Sequence, residues 1–446
     1  MRDLFLTPLL LAILFQTFRT PSTGILGWTW LTLMAPQRLI WGTLSDLPLN
    51  LILAVATLSV VPFTRDKKSL PLNGVVILWG LLTLTMTMTT IFAITPAISW
   101  NIWNRVVKVM LLGMLVPILM TTPRRIHALV WIMVLCLGYF GVKGGIFTLL
   151  VGGGHVLGPS DSQLADNNNL ALALSMSLPL MNYLRLQTPS HTMRMTLLAG
   201  MVATAFGILG TFSRGGFIGL GVMAGYLWWK SKSKFTLAIG VVAVVVPALL
   251  MMPQEWYDRM GTLKDAGSQT TFLSRWDAWT VNLNIALARP LTGGGFASSE
   301  SESTYKTYSY GRSVYADSRQ NGFTGGHAAH SIYFEVLGDH GFLGFAFYYG
   351  LLASTLLMLR KVRRATKAIP SMSWAMDLVT MMQVSFLAFF VSGVALSMAY
   401  YDLVFLFIGI VLALNRMVSE YKPDPAVDGR SAAVPTTKWR APAHAV

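Results

Sequence analysis

The pair Ser213-Arg214 lies between two apolar runs with almost no loop to separate them. A serine at this point can cap the helix that follows, and the first-turn N–H groups of a helix point towards an anion. The guanidinium of Arg214 adds a planar fork that suits phosphate oxygens. The pair therefore predicts binding of a phosphate-bearing ligand. The alternative is an arginine that only orients the helix by reaching the interface.

A second arginine, Arg275, is followed by apolar residues that recur at helical spacing, namely Trp276, Trp279, Leu283 and Leu287. This spacing predicts an amphipathic helix that lies on a membrane surface and holds Arg275 at the depth of the headgroups. A salt bridge between Arg275 and a carboxylate such as Asp277 agrees equally well with the sequence.

A border between a long polar segment and a long apolar one lies in residues 325–344, GGHAAHSIYFEVLGDHGFLG. His330 marks that border, and Glu335 and Asp339 follow inside the apolar run. Ionisable groups at the mouth of a hydrophobic helix are costly without partners, so they are candidates for function. For Glu335 and Asp339, pairing within a helix bundle is an equal alternative. The neighbouring His327 fits an interfacial residue that reaches water.

The composition shows which elements must position these residues. The chain is 54% hydrophobic and 12% charged, and its mean hydropathy is +0.55. A soluble protein carries about twice that share of charge. Many apolar runs approach the ~20 residues that a helix needs to cross a bilayer. We therefore predict an all-α polytopic integral membrane protein with about twelve or thirteen transmembrane helices and one large periplasmic loop that carries amphipathic helices.

The predicted membrane segments follow from the apolar runs. They are Met1–Phe18, Gly24–Ala35, Leu49–Phe63, Leu72–Ile94, Val106–Met120, Leu129–Val151, Leu170–Leu184, Thr196–Phe212, Phe217–Trp229, Phe235–Met251, Ser331–Leu359, Met376–Ala399 and Leu403–Leu414. The predicted organisation is a block of N-terminal and central membrane helices (1–252), a large periplasmic loop (253–329), C-terminal membrane helices (330–416) and a disordered cytoplasmic tail (417–446).

The net charge of +15 belongs to loops between apolar runs, which is how orientation is encoded in membranes. The basic residues fall at every second loop from Arg65 onwards, so those loops are predicted to be cytoplasmic. The candidate residues then all lie on the opposite, periplasmic face. No basic and aromatic residues interleave on a soluble surface, so no nucleic-acid partner is predicted.

Metal and disulfide chemistry receive no support from the sequence. The single cysteine, Cys136, lies inside an apolar run and is predicted to be a packing residue. Cysteine pairs are missing and the histidines are scattered, so no metal site is predicted.

The chain resembles the O-antigen ligase/polymerase superfamily, and more closely the O-glycosylation ligases associated with exosortase A. The stretches that carry the resemblance are YFGVKGG (139–145), Asp166-Asn167-Asn168, Ser213-Arg214-Gly215, RPLTGGGF (289–296), AAHSIY (328–333) and LGDHG (337–341). They span nearly the whole chain apart from the tail.

The resemblance implies a glycosyltransferase of the bacterial inner membrane that needs no cofactor. Its donor would be a glycan linked to undecaprenyl diphosphate, and its acceptor would be a hydroxyl of a glycan, lipid or protein at the periplasmic face. Arg214 and Arg275 match the arginines of the family and would hold the diphosphate, and His330 matches the family histidine and would act as base. Neighbouring arginines would favour the neutral imidazole, which can accept a proton. A functional link to an exosortase or polysaccharide export system is also implied.

Other polar residues on that face are weaker candidates. Asp166, Asn167, Asn168 and Ser213 could contact sugar or acceptor hydroxyls, and capping of a helix by one residue of the 166–169 run is equally compatible. The segment Ser298–Thr324 is rich in Ser, Tyr and charge and could shape the choice of acceptor, although disorder explains it as well.

Two other functions agree with the same pattern. A polymerase of the same superfamily would join one lipid-linked repeat unit to another with the same diphosphate chemistry. A transporter of solutes or lipid-linked glycans would also have many spans and polar residues. It should place its charges near the bilayer midplane on broken helices, whereas the candidates here cluster at one interface.

Overall fold

The computed structural model describes residues 2–40, 44, 47–65, 67, 69–152, 154, 156–230, 233–250, 252–261, 270–310, 325–367 and 369–421. Most of the predicted tail and residues 311–324 of the Ser298–Thr324 segment therefore lie outside the described residues. The part of that segment which is described contains a 3-10 turn at Ser298–Glu300 and a short helix, Glu302–Tyr308.

The described chain is all-α, which confirms the predicted fold class, and contains sixteen helices and no strand. They are α1 Arg2–Arg19, α2 Pro21–Met34, α3 Leu49–Val60, α4 Gly74–Ile91, α5 Pro96–Leu119, α6 Pro123–Val151, α7 Asn167–Gln187, α8 His191–Gly210, α9 Arg214–Lys230, α10 Lys234–Leu250, α11 Gln254–Gly261, α12 Thr270–Ala288, α13 Glu302–Tyr308, α14 Ile332–Thr366, α15 Ser373–Ser392 and α16 Asp402–Ser419.

Each predicted apolar run coincides with a helix, but fewer helices than predicted are long and apolar enough to cross a membrane. Seven segments of the described chain meet that requirement, and they contain α4, α5, α6, α8, α14, α15 and α16. The helices α1 and α3 have shorter apolar stretches. The others fall short for two reasons: α2, α9 and α10 have at most 17 residues, and α7 has polar residues towards both ends, namely three asparagines at its start and Asn182, Arg185 and Gln187 near its end.

The start of α5 differs from the sequence-based boundary. The predicted span began at Val106 because Asn101, Asn104 and Arg105 interrupt the apolar pattern. The helix begins ten residues earlier, at Pro96, where a proline at the first position has its φ angle set for a helix and lacks an N–H that would have no partner. The polar residues therefore lie within the first half of a membrane-length helix.

The centre of the bundle is formed by α7 and α16, in which most residues are buried. Helix α16 packs against α5, α15 against α7 and α9, α14 against α4 and α12, and α6 against α8. An apolar side chain removed from water contributes roughly 1.5–3 kcal/mol in a soluble core, but between membrane helices close packing takes over that role.

Contacts between helix ends define two ends of the bundle. At one end, His127 in α6 contacts Tyr183 in α7 at 2.7 Å, and Gln187 donates to Asp377 at 2.8 Å. At the other end, which we call the site end, Val156 N–H donates to the carbonyl of Gly210. The candidate residues all lie at the site end, whereas its periplasmic orientation stays a prediction.

Candidate functional site

The N-terminus of α9 is built as the sequence predicts. Ser213 is buried, and its hydroxyl accepts a hydrogen bond from the N–H of Gly216 at 3.1 Å, which confirms the predicted cap. Arg214 is the first residue of the helix and is partly buried. Phe212, which precedes Ser213, has a φ of 56°, a left-handed conformation that is uncommon for a residue with a side chain. The chain thus turns sharply and presents the start of the helix.

The N-terminus of α7 supports that turn. The carboxylate of Asp166 accepts hydrogen bonds from the N–H groups of Asn168 and Asn169 at 2.8 and 3.2 Å, so Asp166 is the residue of its run that caps the helix. The side chain of Asn167 donates to the carbonyl of Thr211 at 2.7 Å, and that of Asn168 donates to Asn167 at 3.0 Å. Contact of these residues with a substrate stays a prediction.

His330 precedes α14 in a left-handed conformation, with a φ of 47°. Its backbone N–H donates to the hydroxyl of Ser397 at 2.7 Å, and the residue keeps an exposed surface. Non-glycine residues with positive φ persist where their surroundings hold them, and they cluster at functional sites. The backbone of His330 is therefore fixed while its imidazole remains accessible.

The surroundings of His330 favour its neutral form. Partial burial of the ring disfavours the charged imidazolium and lowers its pKa; the positive charge of Arg275, and that of His327 when it is protonated, lower the pKa further, whereas the negative charge of Asp166 raises it. A neutral imidazole at neutral pH can accept a proton. The three groups also show that Arg275 and Asp166 lie within electrostatic range of His330, as expected for one site.

The end of α15 and the segment that follows it contact both the start of α9 and the start of α14. The Ser392 hydroxyl donates to the carbonyl of Gly215, in the first turn of α9, at 3.1 Å. Five residues later, Ser397 accepts the N–H of His330. The N–H of Ala399 donates to the carboxylate of Glu335 at 2.9 Å. One short stretch therefore connects the start of α9, which carries Arg214, to the start of α14.

The buried carboxylate of Asp339 accepts hydrogen bonds from two other parts of the chain. One oxygen accepts the N–H of Ala297 at 2.9 Å and the other accepts the hydroxyl of Tyr400 at 3.0 Å. These bonds correspond to the structural pairing that the sequence left open, and Glu335 makes the same kind of contact with Ala399. A role in substrate contact is untested for both residues.

The glycine-rich stretch before α13 packs on a break in α14. The N–H groups of Gly294 and Gly295 donate to the carbonyls of Gly338 and Asp339 at 2.8 and 2.9 Å. At the break, Gly341 has a φ of 65°, and a β-carbon there would lie 2.5 Å from the carbonyl oxygen of Pro290. These glycines therefore allow two backbones to approach closely, and the partner of the loop is a helix.

Helix α12 places Arg275 beside α14. Its buried side consists of small and branched residues, including Ala278, Val281 and Ile285, and the ring of Trp279 stacks on Phe334 at 5.3 Å. Trp276 is 47% exposed, as a residue on a membrane surface would be. The predicted helix is confirmed, while its contact with lipid stays a prediction.

The other two histidines of this region, His327 and His340, make contacts that stabilise the fold. His327 packs its ring edge-on against Tyr305 and donates its backbone N–H to the carbonyl of Ser299. His340 is fully buried, and its Nδ1 lies 2.7 Å from the hydroxyl of Thr89.

The sequence did not identify Arg105 as a residue that lies near several carboxylates of the site end. This arginine lies within electrostatic range of Glu300, Glu335 and Asp402. Burial raises the pKa of Glu300, and the charge of Arg105 opposes that rise. Its signal in the sequence is a polar stripe of helical spacing, Asn101, Asn104, Arg105 and Lys108, which becomes visible once α5 begins at Pro96.

No group of three His, Cys, Asp or Glu side chains in the described part of the chain could hold a metal ion. The arrangement instead connects the capped helix start that carries Arg214 with a histidine whose pKa is lowered and which lies within electrostatic range of Arg275. Such a set can bind an anionic group and remove a proton from a hydroxyl.

Two parts of the chain match models of known protein families. Residues 1–172 match the model of a family of unknown function (DUF5935), and no curated protein matches the chain. Neither result tests the predicted link to exosortase. Residues 199–349, which include Arg214, Arg275 and His330, match the family model described as O-Antigen ligase. Together with the seven membrane-length helices of the described chain, this match supports a multi-pass membrane protein of the O-antigen ligase superfamily.

Proposed function

We propose that the protein is a membrane glycosyltransferase of the O-antigen ligase type. It transfers a glycan from an undecaprenyl-diphosphate carrier to an acceptor hydroxyl at the periplasmic face of the bacterial inner membrane. The observation that carries the proposal is the position of His330, which lies within electrostatic range of Arg275 and is joined through Ser392–Ser397 to the start of α9.

The reaction is a single displacement with inversion. The imidazole of His330 takes the proton of the acceptor hydroxyl, and the oxygen attacks the anomeric carbon of the donor sugar. The bond from that carbon to the diphosphate oxygen breaks, and undecaprenyl diphosphate leaves as an anion. Arg214 and Arg275 hold the departing diphosphate, and the capped start of α9 adds backbone N–H groups that favour negative charge.

A general base contributes about 10²–10⁴-fold to a rate. We therefore expect His330→Ala in reconstituted membranes to lower the rate of glycan transfer by about that factor, measured as release of undecaprenyl diphosphate. His191→Ala is the matched control, because His191 begins α8 at the end of the bundle away from the site. Full activity of His330→Ala would exclude the base assignment.

The type of acceptor is tested in a deletion strain. A ligase predicts that carrier-linked polymer accumulates, whereas a polymerase predicts single carrier-linked repeat units. Substrate-dependent flux into liposomes without any product would exclude transfer altogether and indicate a transporter.

A further inference from the structure

A polar cavity of about 400 Å³ lies at the site end, apart from His330. Five parts of the chain form its wall: the end of α2 with the turn after it, the start of α3, the first half of α5, the residues around Ser162, and the start of α16. Its volume falls within the range of small-ligand sites. We call it the α5 pocket.

Basic side chains outnumber carboxylates in the lining of the α5 pocket by one. Arg38, Arg105 and Lys108 line it, against the two carboxylates of Asp161 and Asp402. Arg38 and Asp161 form an ion pair at 3.8 Å, but both side chains are largely exposed, so the pair is weak and open to exchange. Arg105 makes no hydrogen bond or ion pair with the residues that the structure describes, so its donors are available to an anion.

The same wall contains buried polar atoms without a partner. They are the side-chain oxygens of Gln37, Asn50 and Gln163 and the hydroxyl of Tyr401, none of which bonds to any described residue. A buried polar atom without a partner is destabilising, and in native proteins such an atom usually pairs with ordered water or with a bound ligand. Three of the four are amide oxygens, which accept hydrogen bonds. The partner that fits them offers several hydroxyl donors.

The pocket adjoins the candidate site through one loop. Asp161–Leu164 line the pocket, and Gln163 donates to Asp402 at 3.4 Å. Two residues beyond Leu164, Asp166 lies within electrostatic range of His330. A ligand that extends from the pocket along this loop approaches His330.

We propose that the α5 pocket is a binding subsite for a sugar unit that carries a carboxylate or phosphate group. Arg105 and Lys108 bind the acidic group, and the amide oxygens and Tyr401 bind sugar hydroxyls. This inference rests on the proposed function and names the sugar class of one of its substrates. The unit belongs either to the donor glycan or to the acceptor, and the two sources share the same chemistry.

Binding is tested without any transfer reaction. Methyl β-D-glucuronide and methyl β-D-glucoside are the probes, and the full chain in nanodiscs is titrated by saturation-transfer NMR. We expect the glucuronide to bind more tightly than the glucoside, and Arg105→Gln with Lys108→Gln to raise its Kd by about tenfold or more. Arg124→Gln, which removes a charge at the opposite end of the bundle, is the control. Equal Kd values for both probes, no binding of either, or unchanged binding in the double variant would overturn the proposal.

A second variant separates binding from folding. Tyr401→Phe removes only the unpartnered hydroxyl, so the ligand-free protein should melt at the same temperature or higher, while the glucuronide binds more weakly. A lower melting temperature with unchanged binding would contradict the inference.

Two further measurements show whether the sugar belongs to the donor or to the acceptor, and whether a failed test concerns the proposed mechanism or the pocket. In the transfer assay, added glucuronide raises the KM of the acceptor if the pocket binds the acceptor, and that of the donor if it binds the donor. No change in either KM would refute the subsite. His330→Ala should bind the glucuronide like the unmodified chain. If it does and still transfers glycan, the proposed mechanism fails while the pocket stands.

Discussion

Gly295 provides a sharp test of how the site is held together. This glycine has a φ of 85°, and a β-carbon there would lie 2.3 Å from the β-carbon of Ala93. An alanine in the left-handed region costs about 1–2 kcal/mol. Overpacking against a fixed neighbour adds about 1–3 kcal/mol, so Gly295→Ala should destabilise the protein by about 2–5 kcal/mol. Because the loop that contains Gly295 follows α12 and packs against α14, the change should also separate Arg275 from His330 and lower the rate of transfer.

The matched control is Gly152→Ala. Gly152 has nearly the same φ, 82°, but a β-carbon there would meet nothing within 4 Å. This variant should therefore show only the backbone cost of about 1–2 kcal/mol and keep its activity. Melting of the detergent-solubilised variants ranks their stability, and release of undecaprenyl diphosphate measures activity. Equal stability and equal activity of the two variants would refute the inference that loop docking positions the site.

Three more predictions concern the site itself. Arg275→Gln removes a positive charge that lowers the pKa of His330, so that pKa should rise and the acidic limb of kcat/KM against pH should move to higher pH. Asp166→Asn keeps a capping oxygen but removes a negative charge that raises the pKa of His330, so the acidic limb should move to lower pH. Shifts in the same direction would exclude His330 as the titrating base. Ser213→Ala should cost about 1 kcal/mol in melting experiments and raise the KM of the donor, whereas Ser213→Thr keeps the cap. Ser397→Ala should cost about 1 kcal/mol and lower kcat with little change in KM, and recovery of kcat in Ser397→Thr would attribute the loss to the hydroxyl.

The fold class could be predicted because hydropathy directly reflects the solvent of a membrane helix. Every apolar run became a helix, since a chain in lipid must satisfy its backbone hydrogen bonds within the segment. The number of spans could not be read in the same way, because a central helix such as α7 is enclosed by protein and tolerates asparagine and serine. Hydropathy also failed to predict the first half of α5, because its polar residues face a cavity.

The site was predicted in part. Cap residues such as Ser213 act within a few residues of themselves, so the sequence alone could identify them. The contacts that join separate helices could not be read in that way. Ser397 lies 67 positions after His330, and its hydrogen bond depends on how α15 and α16 pack against α14. Arg105 belongs to the same class, because its carboxylate neighbours are distant in the chain.

The strained residues indicate which parts of the site are fixed by the bundle. Phe212 and His330 both have positive φ, a conformation that costs about 1–3 kcal/mol and must be held by neighbours. Asn167 in α7 holds the turn that contains Phe212, and the segment before α16 holds His330. Arg275 differs, because it belongs to α12 in the long segment between α10 and α14. Changes in α12 should therefore alter how the diphosphate or its sugar is held without moving the base. Changes at the end of α15 should disturb both, because Ser392 contacts the start of α9 and the stretch that follows it holds His330 through Ser397.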